Sequence, residues 1–319
     1  MKLRTISANA YARDVLPHTA ALWAGRRSFD QYVAQTIELA NSAYGRRRYR
    51  TVGLYDGGRL LASFKRYERD LRDGARRLGA IGFGAVFTPD ELRGRGYASF
   101  MVASALDAAR CGGYDVAYLF SDIRPQFYAA LGFRALPSRN LTLRADALPS
   151  QRLQVAPLGA RDWAAVRRCF ERTDSRRAAA FVRDEAVWHW IATRASHVSE
   201  HSAGHATNIG VRLGRTLRAY VLGVRVPERD TYVYDEFGFS DDSGAAMLPS
   251  LLRAAAGDLR RVAGWLPPDG ARHTLPKGTT RHRKTATLMM APLSGDGERL
   301  IEKLSCNSNA DFSWPTDHI

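Results

Sequence analysis

Apolar residues along this chain alternate between short uninterrupted runs and runs spaced every third or fourth position, the pattern of strands traded with helices. Gly79 to Thr88, bounded by glycine and by Pro89, predicts a buried strand. Arg93 to Ala98 predicts a glycine-and-arginine turn, and Ser99 to Cys111, with Phe100, Met101, Ala105, Leu106 and Ala109 at helical spacing, a helix ended by Gly112 and Gly113. Asp115 to Asp122 predicts a second strand, parallel to the first because a helix crosses between them. Pro125 to Phe133 predicts a short helix with proline at its start and glycine at its end. Upstream, Asp14–Trp23 and Phe29–Tyr44 predict helices, and Arg50–Tyr55, Asp56-Gly57-Gly58 and Arg59–Arg69 an antiparallel hairpin. Asn140–Arg144 is expected to close the first sheet, with a linker around Pro149 and Ser150.

The same order recurs downstream. Helices are predicted from Asp162 and over Phe181–Thr193, then strands over Asn208–Leu213, Leu217–Val226 and Thr231–Phe239, a helix over Gly244–Leu259 and a strand over Arg261–Leu266. Trp188 and Trp190 fall on different faces of their helix, so one is expected in the local core and the other against the neighbouring domain or a ligand. The expected division is 1–148 and 149–319.

Composition changes this picture little. The chain has 319 residues, 45% hydrophobic and 25% charged, ordinary values for a globular protein. No stretch approaches the roughly eighteen apolar residues of a membrane span, and the N-terminal residues lack a leader-like apolar run, so a cytoplasmic protein without membrane contact is expected. Cys111, Cys169 and Cys306 stand apart without metal-ligand spacing, which suits free thiols. The net charge of +15 and pI near 10.2 permit nucleic-acid binding, but the basic clusters at 45–50 and 281–284 accompany no nucleic-acid motif, and a solvated face is the simpler reading.

The turn Arg93-Gly94-Arg95-Gly96-Tyr97-Ala98 feeds a helix N-terminus, where glycines allow close backbone approach and the positive helix end favours phosphate oxygens. Arg93-x-x-Gly96-x-Ala98 resembles the acyl-CoA pyrophosphate loop of the GNAT N-acetyltransferases, and Phe127-Tyr128-x-x-Leu131-Gly132-Phe133 resembles a second signature of that superfamily. Either motif alone is weak; the two in this order and separation are specific, and the resemblance covers roughly residues 1–146. The phrase Leu119 to Phe133 is also similar to a subgroup that includes fungal lysine N6-acetyltransferases.

The resemblance implies an α/β fold of two GNAT-like domains, each a mixed sheet flanked by helices. It implies acetyl-CoA as co-substrate, with Ala85, Val86 and Phe87 offering strand backbone, Arg93 to Ala98 gripping pyrophosphate, Ser121 near the pantetheine, and Tyr128 protonating the departing thiolate. The bland alternative for Tyr128 is an aromatic filler. The acceptor is expected to be a primary amine on a small molecule such as lysine or an antibiotic; a protein or peptide amine and a non-catalytic CoA-binding regulator are the alternatives.

The base is not legible in the residues. Glu68, Asp122, Asp235, Glu236 and Asp317 are candidates to meet the acceptor amine, although Glu68 could equally pair with a neighbouring arginine and Glu236 or Asp235 with an arginine of the protein. A related aminoglycoside-acetylating group uses a chain-terminal carboxylate, which makes Ile319 a candidate; that group's third domain has no clear counterpart here. In the second unit the loop position holds Ser240-Asp241-Asp242-Ser243-Gly244, whose carboxylates repel a pyrophosphate, so this domain is expected to be degenerate and to complete the acceptor pocket. His197, His201 and His205 recur every fourth residue, but the surrounding serines and glycine suggest a loop, and no metal is expected.

Overall fold

A computed structural model describes residues 1–319 apart from 26, 123, 202–204, 308–310 and 319, with backbone alone for 198–201 and 205. The first half runs β1 (Lys2–Ile6), α1 (Ala8–Asp14), α2 (Leu16–Trp23), α3 (Phe29–Asn41), α4 (Ala43–Arg48), β2 (Tyr49–Asp56), β3 (Arg59–Asp73) and β4 (Arg76–Phe87). It continues with α5 (Tyr97–Cys111), β5 (Val116–Ser121), α6 (Pro125–Ala129), β6 (Arg134–Ala135) and β7 (Arg139–Arg144). The second half holds β8 (Val155–Pro157), α7 (Trp163–Asp174), β9 (Ala179–Phe181), α8 (Glu185–His201), β10 (His205–Ala206), β11 (Ile209–Leu213), β12 (Thr216–Val226) and β13 (Thr231–Phe239). It ends with α9 (Asp242–Ala256), β14 (Arg261–Trp265), α10 (Asp269–Arg272), β15 (Thr279–His282), β16 (Thr287–Pro292) and α11 (Gly295–Ser305).

Two mixed sheets result, and they exchange strands. The first runs β1-β2-β3-β4-β5-β16-β6 and the second β15-β7-β14-β13-β12-β11-β8. β7, expected to close the first sheet, instead pairs antiparallel with β14 of the second, Leu143 opposite Val262. Its slot beside β5 is taken by β16, with Met289 opposite Leu119. The division at 148/149 therefore does not separate the sheets, because each half lends the other a strand. The apolar run Thr287–Pro292 and the Ser294 cap that opens α11 carried the signal for β16 and α11, neither of which the sequence reading assigned.

Each sheet has its own core. Phe64, Phe83, Met101, Val102, Leu119 and Met289 pack beneath α5, and Tyr220, Tyr234, Phe237, Phe239, Leu251 and Leu252 beneath α9. A second contact joins the halves: β9 pairs antiparallel with the end of β3, and α8 lies across the first half. Trp188 packs edge-on against Phe170 in the second core, whereas Trp190 meets Tyr44 and Tyr49 of the first half with ring centroids 5.0 and 5.3 Å away. The two tryptophans thus divide between core and neighbouring unit, as their positions on the helix require. α8 also runs on to His201, into the histidine segment that the sequence reading left as loop, and His205 begins β10.

The C-terminal tail is bound between the halves. Trp314 is buried against Phe237, centroids 4.9 Å apart. Asp317 lies 3.0 Å from Arg183 of the second half and 3.6 Å from Arg69 on β3. Burial alone raises the Asp317 carboxyl, but the two guanidinium groups outweigh it and hold the group below its ordinary value. Among the described residues no helix is long and apolar enough to cross a membrane.

Candidate active site

β4 and β5 pair in parallel only from Ala80–Val116 to Phe83–Leu119, although β4 continues to Phe87 and β5 to Ser121. At the point of divergence β4 is bulged: Lys65 of β3 faces Gly84 and Ser63 faces Phe87, two steps against three. The extra residue lies in Ala85–Val86, and Ala85 takes φ +47°, a conformation that a non-glycine residue adopts at a cost. The parting strands leave the backbone of Gly84 to Phe87 outside the β4–β5 ladder, so its N–H groups can serve a ligand seated between the strands.

The turn after β4 is built for the same purpose. Gly94 and Gly96 have φ +78° and +80°, and a Cβ at either would meet no neighbour within 4 Å, so conformation and not space demands glycine. Gly96 is the N-cap of α5, and no side chain caps the helix. The first N–H groups of a 15-residue helix therefore face outward with the positive end of its dipole. Arg93 and Arg95 flank them, both exposed; Arg93 makes a surface ion pair with Asp90 at 2.6 Å, the kind of pair that yields readily to a multivalent anion. Ser121 is buried at the end of β5, opposite Thr287.

α6 begins at Pro125 and sets Tyr128 half-buried on the first core, with Phe127 at 4.9 Å and Phe133 at 6.0 Å between ring centroids. Burial, and then the nearby Asp122 carboxylate, push its phenol up to about 12, so it carries its proton throughout the neutral range.

The candidate carboxylates separate by environment. Glu68 pairs with Arg66 at 2.8 Å, and Arg66 reaches the Tyr114 hydroxyl at 3.3 Å. Strand alternation puts these side chains on the α5 face of β3, away from the face covered by α1, α3 and α8, so Glu68 takes the salt-bridge role. Asp122 is exposed and accepts the Ala286 N–H at 2.9 Å, fixing the turn before β16. Glu236 is fully buried and accepts from Arg183 and from the Tyr220 hydroxyl, each at 2.6 Å, and from Thr316. Its oxygens are committed to a structural network that ties the tail to β13, so it is not open to an acceptor amine. Asp235 differs. It is the extra residue of a bulge in β13, where Leu222 faces Glu236 and Gly223 faces Tyr234. It lines a cleft of about 230 Å³ with Arg194, Asn208, Thr316 and His318. Burial pushes its carboxyl up to about 6, against the pull of Arg194 and with a further push from Glu236.

Ile319 lies outside the described residues. His318 is packed against Phe120 and Trp265 at 4.9 and 6.0 Å, and burial followed by Arg194 and Arg283 pushes its imidazole down to about 3, leaving it neutral. His197 bonds to Glu38 at 2.8 Å; the side chains of His201 and His205 lie outside the described residues. Among the described residues no cluster of three or more metal-ligating side chains occurs.

In the second half the corresponding helix, α9, is also 15 residues long, but Asp241 caps it by accepting the Gly244 N–H at 2.9 Å. Ser243 and Arg218 bind the same carboxylate, which is held far below its ordinary value, first by Ser243 and the Gly244 N–H. The group that would repel a pyrophosphate thus also occupies the amides it would need.

Residues 12–136 match the family model described as the acetyltransferase (GNAT) domain. The matched segment holds the turn from Arg93 to Ala98, α5 and Tyr128. The fold of the chain is similar to that of a GCN5-related N-acetyltransferase from Kribbella flavida (TM-score 0.65, 18% identity, covering 93% of this chain and 73% of that one). It is also similar to a probable N-acyltransferase from Enterococcus faecalis V583 (TM-score 0.70, 12% identity, 92% and 72% covered). An N-myristoyltransferase from Saccharomyces cerevisiae, solved with bound myristoyl-CoA and inhibitors, shares the fold more loosely (TM-score 0.54, 11% identity, 98% and 86% covered). No curated protein matches the sequence.

Proposed function

We propose that the chain transfers an acetyl group from acetyl-CoA to a primary amine on a small molecule, such as an amino acid or an amino-bearing antibiotic. The observation that supports this reading is that the bulge at Ala85–Val86, the uncapped N-terminus of α5 and the protonated phenol of Tyr128 gather on one core, against which Val86, Tyr97 and Tyr128 all pack. Arg93 to Ala98 hold the pyrophosphate, the Ala85–Phe87 backbone receives the pantetheine and the carbonyl oxygen, and Ser121 borders the same groove. Tyr128 supplies the proton to the leaving sulfur; the desolvation that raises the phenol also raises the proton affinity of a thiolate beside it.

The acceptor enters from the opposite face of the first sheet, through the cleft that Asp235 lines with Arg194. Asp235 is the base in this reading. Its elevated affinity for a proton matches a group that must accept one from an ammonium near neutral pH. The cleft of about 230 Å³ that Asp235 shares with Arg194, Thr316 and His318 favours a small acceptor over a protein surface. The test is CoA-thiol release from acetyl-CoA across free amino acids, polyamines, aminoglycosides and lysine peptides. Turnover with a small amine, reduced about 100-fold in kcat by Tyr128→Phe with unchanged acetyl-CoA affinity, is expected; turnover with peptides alone, or full activity in the variant, overturns the reading.

A further inference from the structure

The face of the first sheet that is turned away from α5 carries a primary amine beside the bulge. Lys65 of β3 stands between Thr51 of β2 and Gly84 of β4, its partners in register on either side. Side chains paired across antiparallel strands share a face, so on the bulge side the neighbour that would screen the lysine stem has no side chain. A partner in such a ladder lies about 4.5 to 5.5 Å away between Cα atoms, within the reach of that stem. The ammonium is 5.2 Å from the Tyr11 ring centroid and 6.0 Å from that of Tyr49. Among the described residues it makes no hydrogen bond and no ion pair.

A cation held only against ring faces gains about 0.5 to 2 kcal/mol, which neither fixes an unbranched stem in one rotamer nor offsets the burial of an unpaired charge. Burial, and after it Arg194 and Arg27, push the amine down to about 8, so part of it is neutral, with its lone pair free, near neutral pH. The chain's other lysines, Lys2, Lys277, Lys284 and Lys303, are all exposed, and its remaining basic residues are arginines, which keep their proton and are no nucleophiles. Lys65 therefore has what an acceptor needs: a primary amine, a partly neutral state, and a place beside the backbone that the acetyl-transfer reading gives to the thioester carbonyl.

We propose that Lys65 is a self-acetylation site: when no acceptor is bound, its nitrogen takes the acetyl group of the acetyl-CoA held by the same chain. The proposal rests on the acetyl-transfer reading. Once Lys65 has given its ammonium proton to solvent, the nitrogen attacks the thioester carbonyl; the N–C bond forms, the C–S bond breaks, and Tyr128 protonates the departing sulfur. The proton then lost from the new amide nitrogen restores the phenol through solvent, and the products are acetyllysine and the CoA thiol. The amide carries no charge, so the cost of burying the ammonium disappears with it.

The experiment incubates the full chain with deuterated acetyl-CoA and no amine, and follows the label on each lysine by mass spectrometry of tryptic peptides; the deuterium marks new acetyl groups apart from any acquired during expression. Lys65 is expected to take label about tenfold or more faster than any exposed lysine, at a rate independent of protein concentration and rising with pH through about 8. The rate should fall about 100-fold in Tyr128→Phe. Lys65→Arg, which keeps the charge, should lose the release of one CoA thiol per chain that needs no acceptor. Label spread evenly over the exposed lysines, label at Lys65 that is unchanged in Tyr128→Phe, a rate that scales with protein concentration, or no label at Lys65 despite bound acetyl-CoA overturns the proposal. Acetyl-CoA affinity and turnover of free amines measured alongside separate the two readings: transfer to a free amine without label at Lys65 sinks self-acetylation alone, and absence of both binding and transfer sinks acetyl transfer itself.

Discussion

The molecule contains two strand–turn–helix units of closely similar design, β4–α5 and β13–α9, and their one decisive difference lies at the helix start. Each strand is bulged near its end, each is parallel to the strand that follows, and each helix is 15 residues long. In the first unit a glycine in the left-handed conformation caps the helix and leaves its amides to a ligand; in the second, Asp241 fills them. The helix amides are therefore left open to an anion in one unit and filled by a carboxylate in the other. The second bulge was put to other use: it turns Asp235 into the cleft lined by Arg194 and His318.

The largest expected effect comes from separating the two units. Asp317→Ala leaves Arg183 and Arg69 buried without their shared partner and is expected to destabilise the fold by about 3 to 5 kcal/mol, read from denaturant unfolding. A loss below 1 kcal/mol would mean that the tail does not join the halves. Next in size, Gly96→Val forces a β-branched residue to φ +80°, where the open space around the position leaves backbone strain as the penalty. The strain of roughly 1 to 2 kcal/mol predicts a rise of about five- to thirtyfold in acetyl-CoA Kd by calorimetry, more if the side chain blocks the phosphates.

A smaller effect tests the second unit. Asp241→Ala removes an N-cap and is expected to cost about 1 kcal/mol, a fall of a few degrees in Tm, with no acetyl-CoA site gained there, because Asp242 stays in the first turn of α9 and no left-handed glycine opens the helix. A second mole of acetyl-CoA bound per chain would show that Asp241 alone separates the units.

The smallest effect concerns pH. The Asp235 carboxyl is raised to about 6 in the folded chain, so the folded state holds that proton more tightly than the unfolded state does. The stabilising contribution is fully present below the unfolded value near 4 and is lost as pH rises through about 6. Asp235→Asn is therefore expected to raise Tm at pH 7 and leave it unchanged at pH 4. The same proton must leave before Asp235 can act as base, so kcat/KM should rise through pH 6 in the parent and lose that limb in the variant. An identical limb in both assigns the base elsewhere.

The sequence by itself determined the strand–turn–helix of the first unit, its glycines and arginines, Tyr128 and the disabled second loop. Those features are local: Pro89, Gly94, Gly96 and Pro125 set backbone geometry within a few residues, and Asp241 caps the helix it begins. Tertiary structure alone decided which sheet each strand joins. The local pattern of β7 suited the first sheet and that of β16 went unassigned, and only the pairing with β14 and with β5 places them. It also decided the fate of the carboxylates. Asp235 and Glu236 are adjacent in the chain, yet the bulge sends one into the cleft while Arg183 and Tyr220 claim the other, because the burial and the partners of a charge are properties of the packing and not of sequence spacing.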